Sequence, residues 1–469
     1  MSTQTSLSPQ VSQALALCAI CLATIFIPKF LQWRTRMQKL NAIPTVGHSG
    51  FFLSYISARK FKTHAREIIL EGYSKYPGQA FKVALPDQWE VIVSGREMIE
   101  DIRKASDLDL SFIEAVRETM QSDYTLGKPA RVDAYHIDVV RTPLTRNLGA
   151  KFDELRDEIK ASFADEIPAK EMEWIKVPML YTVMKIIAIV RQFLTNVPNC
   201  LKRATGHLEL LIRERLEKER EYGSSDWPGK PNDLISWLLD EAQGHERRKD
   251  IVYNIVSRVL LVNFSAIHTT TCTNALFYLA ANPHLVQPLR EEVESIVAEL
   301  GWTKAAMGKM HKLDSFLKET QRLSGVGGVT MVRKVLRDFT FSNGTVVPAG
   351  AIMSVASVGM HHDNTLYEDP EEMKAFRFSN MRSKEGEGLK HQMVGIDPTF
   401  TLFGGGGRHM CPGRFFAVSE LKALIGEVLL AYDIKFENGE MPAPEWQGVN
   451  FSPNRFAQVM FKRRIPGSA

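Results

Sequence analysis

The residues most able to do chemistry lie in one stretch, Phe403–Arg414, where four consecutive glycines precede a single cysteine, Cys411. Glycine adopts backbone angles closed to other residues, so such a run lets a loop approach a flat ligand closely. After Cys411, apolar residues recur every three or four positions as far as Leu429, which predicts a helix. The positive end of that helix favours the thiolate form of the cysteine, and thiolate ligation of a haem iron promotes O–O bond cleavage. The stretch therefore predicts that Cys411 is a haem-iron ligand.

Two simpler interpretations compete for this stretch. A phosphate-binding loop requires Gly-Lys-Ser or Gly-Lys-Thr after its glycines, whereas Arg408-His409-Met410 follows here, so we exclude that class of site. An ordinary buried cysteine after a turn fits Cys411 taken alone, because most intracellular cysteines are unreactive. Other stretches of the chain decide against it.

Three further motifs occur in the same chain. Glu319-Thr320-Gln321-Arg322 places an acid and an arginine one helical turn apart, a pair that contributes only a few tenths of a kcal/mol at a surface. The segments His362–Pro370 and Phe376-Arg377-Phe378 follow, and the Cys411 loop comes last. In this order the four motifs resemble the cytochrome P450 family, the haem-thiolate monooxygenases. The similarity covers most of the chain from about Pro44 onward.

The resemblance implies roles for individual side chains. Cys411 is expected to be the axial ligand of the iron of haem b. Arg333, on a predicted strand, and His409, two residues before the cysteine, match family positions that bind the haem propionates. The structural cluster beside the haem is expected to comprise Glu319, Arg322 and Arg377.

A long apolar pattern from Ile251 to about Ala281 predicts one helix, and its centre, Ser265–Thr271, is rich in β-branched hydroxyl residues. Such residues are poor helix formers, and local rule-breaking of this kind indicates a site. The resemblance makes Thr269 the threonine that delivers protons to dioxygen and places His268 where the family has an acid. A histidine with a pKa of about 6.5 relays protons near neutral pH, while a histidine packed against a neighbouring helix is the alternative. The His-Thr-Thr form is similar to fungal members that act on terpenoids and other secondary metabolites.

Two positions depart from the family pattern. Where members usually carry Trp-x-x-x-Arg, this chain has His136–Arg141 without tryptophan, so Arg141 is either a propionate ligand or a solvated helix arginine. The phenylalanine that shields the sulfur usually stands seven residues before the cysteine, but Gly404 occupies that place and Phe403 lies one residue earlier. Either the fourth glycine bulges and lets Phe403 reach the sulfur, or the thiolate is less protected.

The composition is that of an ordinary folded protein. The 469 residues are 44% hydrophobic and 24% charged, which allows an ample core. A net charge of +4, without a basic tract that also carries aromatics, argues against nucleic-acid binding. Five scattered cysteines do not form a secreted disulfide framework, so we expect chemistry that faces the cytosol.

The N-terminus predicts a membrane anchor. Residues 1–28 carry no charged side chain, and the apolar run from Val11 to Phe30 is about the length of one membrane span. A basic flank that begins at Lys29 follows this run and indicates a cytosolic side, whereas a cleaved signal peptide has the reverse order. The predicted organisation is a tail (residues 1–10), a single-pass anchor (11–31), a basic flank with a proline hinge (32–50) and a catalytic domain (51–469). The resemblance implies the endoplasmic reticulum membrane, with a cytosolic catalytic domain.

The expected fold is mainly α with a small β-rich subdomain, the cytochrome P450 fold, preceded by one N-terminal transmembrane helix. Its β signals are a period-two hairpin over Ala80–Ser94 and a strand that begins at Met331 and continues through Phe341. That strand is predicted to turn at Asn343-Gly344 and to return as far as Val347. Helical patterns dominate elsewhere.

The reaction implied by the resemblance inserts one atom of O2 into an apolar small molecule, by hydroxylation or further oxidation, and releases the other as water. The sequence contains no glycine-rich dinucleotide fold or flavin segment, so electrons are expected from NADPH through a separate cytochrome P450 reductase. Arg408 and Arg414 are candidates for docking that reductase or for supporting the loop. The chain is short near Tyr181–Leu201, where the family places the helices above the substrate pocket. A catalytically impaired or non-catalytic haem-binding member is therefore the alternative.

Overall fold

A computed structural model of the chain describes residues 24, 27–50, 52–121, 123, 132–187, 197–223, 225–268, 271–325 and 327–465. Helices make up most of the regular structure in these residues. They are α1 (27–41), α2 (Leu53–Lys75, kinked at His64), α3 (Arg96–Lys104), α4 (Phe112–Met120), α5 (His136–Val139), α6 (Thr145–Asn147), α7 (Phe152–Glu166), α8 (Met179–Ile187), α9 (Val197–Tyr222), α10 (Leu234–Glu241), α11 (His245–Arg248), α12 (Ile251–His268), α13 (Cys272–Ala281), α14 (Val286–Leu300), α15 (Lys304–Lys309), α16 (His311–Leu323), α17 (Ser357–His361), α18 (Arg377–Arg382) and α19 (Arg414–Ala431).

The strands in the described part of the chain form small sheets. They are β1 (Ala80–Ala84), β2 (Trp89–Val93), β3 (Leu110–Ser111), β4 (Ile175–Pro178), β5 (Thr330–Val335), β6 (Phe339–Thr340), β7 (Val346–Val347), β8 (Ile352–Val355), β9 (Tyr432–Lys435), β10 (Glu445–Gln447), β11 (Asn450–Ser452) and β12 (Gln458–Arg463). The largest sheet has the order β1-β2-β8-β5-β3, and β4-β12-β9 form a second sheet. The remaining pairs are β10-β11 and β6-β7. The predicted mainly helical fold with a small β-rich part is confirmed.

The first predicted hairpin is confirmed, because β1 pairs with β2 in antiparallel register from Ala80 opposite Val93 to Ala84 opposite Trp89. The second prediction is wrong in one respect, since β5 ends at Val335 and the hairpin that follows belongs to a sheet of its own. The backbone of Val335 closes the pairing of β5 with β8, through bonds of 2.9 Å to Ala351 and 2.7 Å from Gly350. The residues between them therefore leave the sheet and fold back on themselves.

The single long helix predicted from Ile251 to about Ala281 is divided. Helix α12 ends at His268 and α13 begins at Cys272, and Thr271 between them has φ −96° and ψ 6°. Threonine is a poor helix former, in agreement with the non-helical backbone angles of Thr271. The predicted proton donor Thr269 lies outside the described residues.

The main hydrophobic core lies between α7, α13, α14, α16 and α19. Phe277, Phe316 and Leu424 are among its fully buried side chains. The helix predicted after Cys411 is therefore confirmed as α19, and its apolar face is packed into this core. The cysteine loop thus ends on an element that cannot move without disturbing the centre of the molecule.

The hinge that follows α1 is tied to the domain by backbone and side-chain contacts. The ammonium of Lys82, on β1, donates to the carbonyl oxygens of Leu40 and Ile43 at 2.8 and 2.6 Å, and burial lowers its pKa to about 8. Arg36 donates to the Gly350 carbonyl at 2.8 Å, and Lys39 pairs with Asp338. The basic flank predicted over residues 32–50 therefore packs against the catalytic domain.

Among the described residues, no helix has both the length and the apolar character needed to span a bilayer. The predicted anchor over residues 11–31 lies largely outside those residues, since only residue 24 and residues from 27 onward are described there.

Candidate haem-binding site

The glycine run before Cys411 is a compact turn that other residues cannot form. Gly404 to Gly407 all have positive φ, between 63° and 97°. A side chain at Gly405 would place its Cβ 2.7 Å from the sulfur of Met331, and one at Gly407 would lie 3.0 Å from the carbonyl oxygen of Arg103. Left-handed backbone and lack of space together explain why the sequence has glycine here.

Cys411 sits where this turn meets the N-terminus of α19. Its backbone N–H donates to the carbonyl of Phe403 at 2.9 Å. Burial raises the pKa of the Cys411 thiol, while backbone N–H groups of Gly413 and Arg414 that donate to the sulfur, and the charge of Arg414, act in the opposite direction. A cationic partner at the sulfur, such as an iron ion, would shift this balance to the thiolate.

A backbone hydrogen bond holds Phe403 next to Cys411. Its carbonyl accepts the cysteine N–H, and its half-buried side chain packs against the edge of the main core. Gly404, which takes the place where the family usually has phenylalanine, bends the chain with φ 89° and donates to the Thr401 carbonyl at 2.8 Å. The extra glycine is therefore accommodated within the turn.

Arg333 is a buried cation that lacks an ion-pair partner of its own among the described residues. Its side chain is 3% exposed, its Nη1 donates to the carbonyl of Val332 at 2.9 Å, and its Nε has no hydrogen-bond partner within the described parts of the chain. Burial lowers the pKa of Arg333 to about 10, and the charge of Asp107 partly offsets this. A buried, incompletely bonded guanidinium is costly unless an anion joins it.

Asp107 links the predicted propionate ligand His409 to a second basic residue. The His409 Nε2 is hydrogen-bonded to one carboxylate oxygen of Asp107, and Arg408 lies 3.4 Å from the other. The ring of Phe112 is 6.0 Å from the His409 ring and 5.7 Å from the Arg333 guanidinium. Neither Asp107 nor Phe112 was expected from sequence, because no local pattern marks residues that contact a loop about 300 positions away.

Glu319, Arg322 and Arg377 meet in one buried cluster. Both carboxylate oxygens of Glu319 accept from Arg322 at 2.9 Å, and one of them also accepts from Arg377 at 3.0 Å. Arg322 further donates to the carbonyls of His361 and Pro370 at 2.5 and 2.6 Å. The cluster thereby joins α16 and α18 to the segment between them, which leads into α18.

Arg141 is the one remaining predicted residue whose side chain the structure describes. Arg141 lies in a π-helical turn after α5, is 51% exposed and pairs with Asp138 at 3.1 Å, as a solvated helix arginine would. His268 is the last residue of α12, and its side chain lies outside the described residues, as does Thr269. Their roles stay predictions.

The residues that the structure brings together fit a haem. A sulfur at a helix N-terminus suits an iron ion, and a buried guanidinium with an unused N–H suits a propionate carboxylate. Cys411 would hold the iron, while Arg333 and His409 would bind the propionates. Arg333 lies on β5, whereas Cys411 and His409 lie on the cysteine loop, and these two elements pack against each other.

Comparison with known proteins gives a consistent result. The family model described as Cytochrome P450 matches residues 147–457. The chain is 39% identical to Cytochrome P450 monooxygenase 151 of Postia placenta, over 93% of this chain and 96% of that protein. It is 32% identical to Cytochrome P450 monooxygenase CYP512U6 of Ganoderma lucidum, over 96% of each, and 29% identical to Cytochrome P450 monooxygenase paxQ of Penicillium paxilli, over 92% and 94%. The family match, the fungal relatives and the cysteine loop together show that this chain belongs to the cytochrome P450 family of haem-dependent monooxygenases.

Proposed function

We propose that this enzyme oxidises an apolar small molecule of fungal secondary metabolism, such as a terpenoid, by hydroxylation or further oxidation at carbon. The observation that carries the proposal is the Cys411 loop, in which a turn of four glycines with positive φ places the cysteine just before the start of α19. The fungal sources of the relatives and the His268-Thr269-Thr270 sequence support the substrate class.

In this mechanism the side chains of the protein would bind and orient the haem and would supply protons. When bound, haem supplies the redox chemistry that cleaves O2, with one oxygen atom going to the substrate and the other to water. Arg333 and His409 would orient the macrocycle through its carboxylates, and Phe403 would limit access of water to the sulfur. Thr269 and His268 would pass protons to the oxygen atom that leaves as water.

The test is an absorption difference spectrum of the purified, reduced protein with and without carbon monoxide. Wild-type protein is expected to show the red-shifted band of a thiolate-ligated haem, and Cys411→Ser is expected to lose it. Cys272→Ser is the matched control, because Cys272 is also free but is fully buried in the core. Well-folded wild-type protein without this band would overturn the proposal.

Electrons would come from NADPH through a separate cytochrome P450 reductase that docks near the cysteine loop. Arg414 contacts the loop itself, since it donates to the Cys411 carbonyl at 3.2 Å, whereas the side chain of Arg408 is 68% exposed. Arg408→Glu should therefore slow reduction by an acidic reductase and weaken its dependence on salt. Arg213→Glu, at an exposed position on α9, is the control, and equal reduction rates in both variants would contradict docking at Arg408.

We also propose that an N-terminal anchor over residues 11–31 holds the enzyme on the endoplasmic reticulum membrane, with the catalytic domain in the cytosol. The uncharged N-terminus and the basic residues after it support this placement. A fusion of residues 1–50 to a soluble reporter is expected to sediment with microsomes and to resist carbonate extraction. Release of the fusion by carbonate would contradict an anchor that spans the membrane.

One observation keeps a second function open, that of a haem-binding protein without turnover. The match to Cytochrome P450 monooxygenase 151 extends over 485 positions, more than the 469 residues of this chain, so that relative has residues for which this chain has no counterpart. A shortened region near Tyr181–Leu201 would explain the difference. Substrate-dependent NADPH consumption with reductase present distinguishes the two functions, because only the enzyme would show it.

A further inference from the structure

Through two consecutive residues, strand β5 contacts the cysteine loop and Thr401, which lies two residues before that loop. The hydroxyl of Thr330 is hydrogen-bonded to the hydroxyl of Thr401 at 2.8 Å, and these residues are 7% and 0% exposed. The next residue, Met331, lies with its sulfur against Gly405, where any side chain would come within 2.7 Å of it. One contact therefore joins β5 to Thr401, before the glycine turn, and the other joins it to Gly405, within the turn.

An irregularity in β5 makes both contacts possible. Successive residues of a regular strand point to opposite faces, so Thr330 and Met331 could not both face the loop. The register of β5 against β8 shifts between Thr330 and Arg333, and Met331 has φ 53°, which is unusual for a residue other than glycine. Both residues are buried as a result.

The strain at Met331 requires compensation from its surroundings. A left-handed backbone at a residue with a side chain costs about 1–2 kcal/mol, and such residues concentrate at functional sites. Here the bulge also decides the direction of Arg333, which follows two residues later and is buried with an unused N–H. The strained Met331 thus lies in the strand between Thr330, which is bonded to Thr401, and the predicted propionate ligand Arg333.

On the loop side, the two contacts reach Cys411 through backbone hydrogen bonds. Thr401 accepts from the N–H of Gly404 at 2.8 Å, and Phe403 accepts from the N–H of Cys411 at 2.9 Å. A shift of Thr401 would therefore move the turn that carries the sulfur. Thr330 and Thr401 are 71 residues apart in the chain, so only the tertiary fold brings them together.

We infer that Thr330 and Met331 are positioning residues that hold the cysteine loop at a fixed distance from β5. The inference rests on the proposed haem-thiolate function. If the loop and β5 are held together, Cys411 and Arg333 bind the same haem from two elements that move as one unit. Thr330 acts through its hydroxyl on Thr401, and Met331 acts through its thioether on the glycine turn. Neither residue is expected to contact the iron.

The first experiment removes the hydroxyl pair and follows the thiolate ligation itself. Thr330→Val, Thr401→Val and the double variant keep side-chain size, and Thr330→Ser keeps the hydroxyl. Thr320→Val is the matched control, since Thr320 is equally buried and its hydroxyl has no partner within the described residues. The readout is the fraction of bound haem that gives the red-shifted carbon monoxide band, measured at increasing urea in protein whose circular dichroism shows it to be folded.

We expect each valine variant to shift the ratio of thiolate-ligated to detached haem roughly fivefold, the effect of one lost buried hydrogen bond. The double variant should lose no more than either single one, and Thr330→Ser and Thr320→Val should behave as wild type. A purely structural role would lower the unfolding midpoint and leave the band of the folded fraction unchanged, which would overturn the inference. A wild-type protein without the band would instead contradict the proposed function.

The second experiment tests Met331 and does not depend on the threonine variants. Gly405→Ala introduces a Cβ 2.7 Å from the Met331 sulfur, in addition to the strain of φ 63°. Combining it with Met331→Ala removes the collision with the sulfur and leaves the strain and a 3.2 Å approach to the Thr401 methyl group, so the thiolate-type band should recover partly in the double variant. Equal loss of the band in Gly405→Ala with and without Met331→Ala would show that the two residues do not act on each other and would overturn the role of Met331.

Discussion

At the scale of single residues, the protein buries ionisable side chains whose protonation is set by residues far away in the sequence. Arg258 is 1% exposed, donates to Nδ1 of His136 at 3.1 Å and to Asn254 at 2.7 Å, and stacks on Tyr135. Burial and the charge of Arg258 lower the pKa of His136 to about 4, and Asp133 partly offsets this. His136 is therefore neutral when the protein is folded at neutral pH.

This state of His136 predicts a loss of stability in acid. The unfolded chain takes up a proton on His136 near pH 6.5 and the folded protein only near pH 4, so the free energy of unfolding falls as the pH drops between these values. The contribution lost between pH 7 and pH 5 is about 2 kcal/mol. Urea titrations at both pH values should show a smaller loss for His136→Asn, which cannot ionise. Identical losses in the two proteins would contradict the assignment.

A second prediction at this scale concerns Arg333, because its buried charge gains an anionic partner only when haem is bound. Arg333→Met should leave the haem-free protein as stable as wild type or about 1 kcal/mol more stable, since it removes an incompletely bonded buried cation. The same variant should release haem faster to a haem-scavenging protein. Arg213→Met, which breaks an exposed ion pair with Glu209 on α9, is the control and should change both quantities little. A large loss of stability in the haem-free Arg333→Met protein would contradict this account.

At the scale of elements, the cysteine loop depends on packing as well as on backbone freedom. Gly407 has φ 79° and lies with its Cα hydrogen toward the carbonyl oxygen of Arg103, at the end of α3. Gly386 has a similar φ of 75°, but nothing lies within 4 Å of the place where its side chain would be. The two glycines therefore separate backbone strain from lack of space.

Replacing each of these glycines by alanine should have unequal effects. Gly386→Ala is expected to cost about 1 kcal/mol, the strain of a left-handed alanine. Gly407→Ala should cost at least about 1 kcal/mol more, because the Cβ at 3.0 Å from the Arg103 carbonyl forces the loop or α3 to shift. Urea unfolding of the two variants measures the difference. Equal costs would show that the loop is held by its backbone angles alone.

At the scale of the whole molecule, the cluster of Glu319, Arg322 and Arg377 connects segments that the chain order separates. Glu319 and Arg322 are completely buried on α16, and Arg377 opens α18. Arg322 also binds carbonyls of the intervening segment, at His361 and Pro370. The cluster thus fixes the path of about 60 residues between the core helix α16 and the approach to the cysteine loop.

Removing one member of this cluster should destabilise the whole fold. Arg322→Met leaves Glu319 buried with Arg377 as its remaining side-chain partner, and the expected loss is about 3–5 kcal/mol of unfolding free energy. Arg213→Met breaks an exposed pair with Glu209 on α9 and should cost less than about 1 kcal/mol. Thermal and urea unfolding of both variants test this. A loss of similar size in the two would mean that the cluster is not central to the fold.

The sequence by itself determined the features that depend on local spacing. The glycine turn before Cys411, helix α19 after it, the Glu319–Arg322 pair and the hairpin of β1 and β2 were all predicted, because turn and helix geometry relate residues only a few positions apart. The order of the motifs was sufficient to indicate the family.

Only the tertiary structure decided which distant side chains complete the site. The contact of Asp107 with His409, the bulge that turns Met331 toward Gly405, and the pairing of Thr330 with Thr401 join residues about 70 to 300 positions apart. The division of the long helix at Thr271 and the separate hairpin after Val335 were likewise missed. Local propensity cannot predict such features, because they follow from how helices and sheets pack and from which backbone groups then find partners.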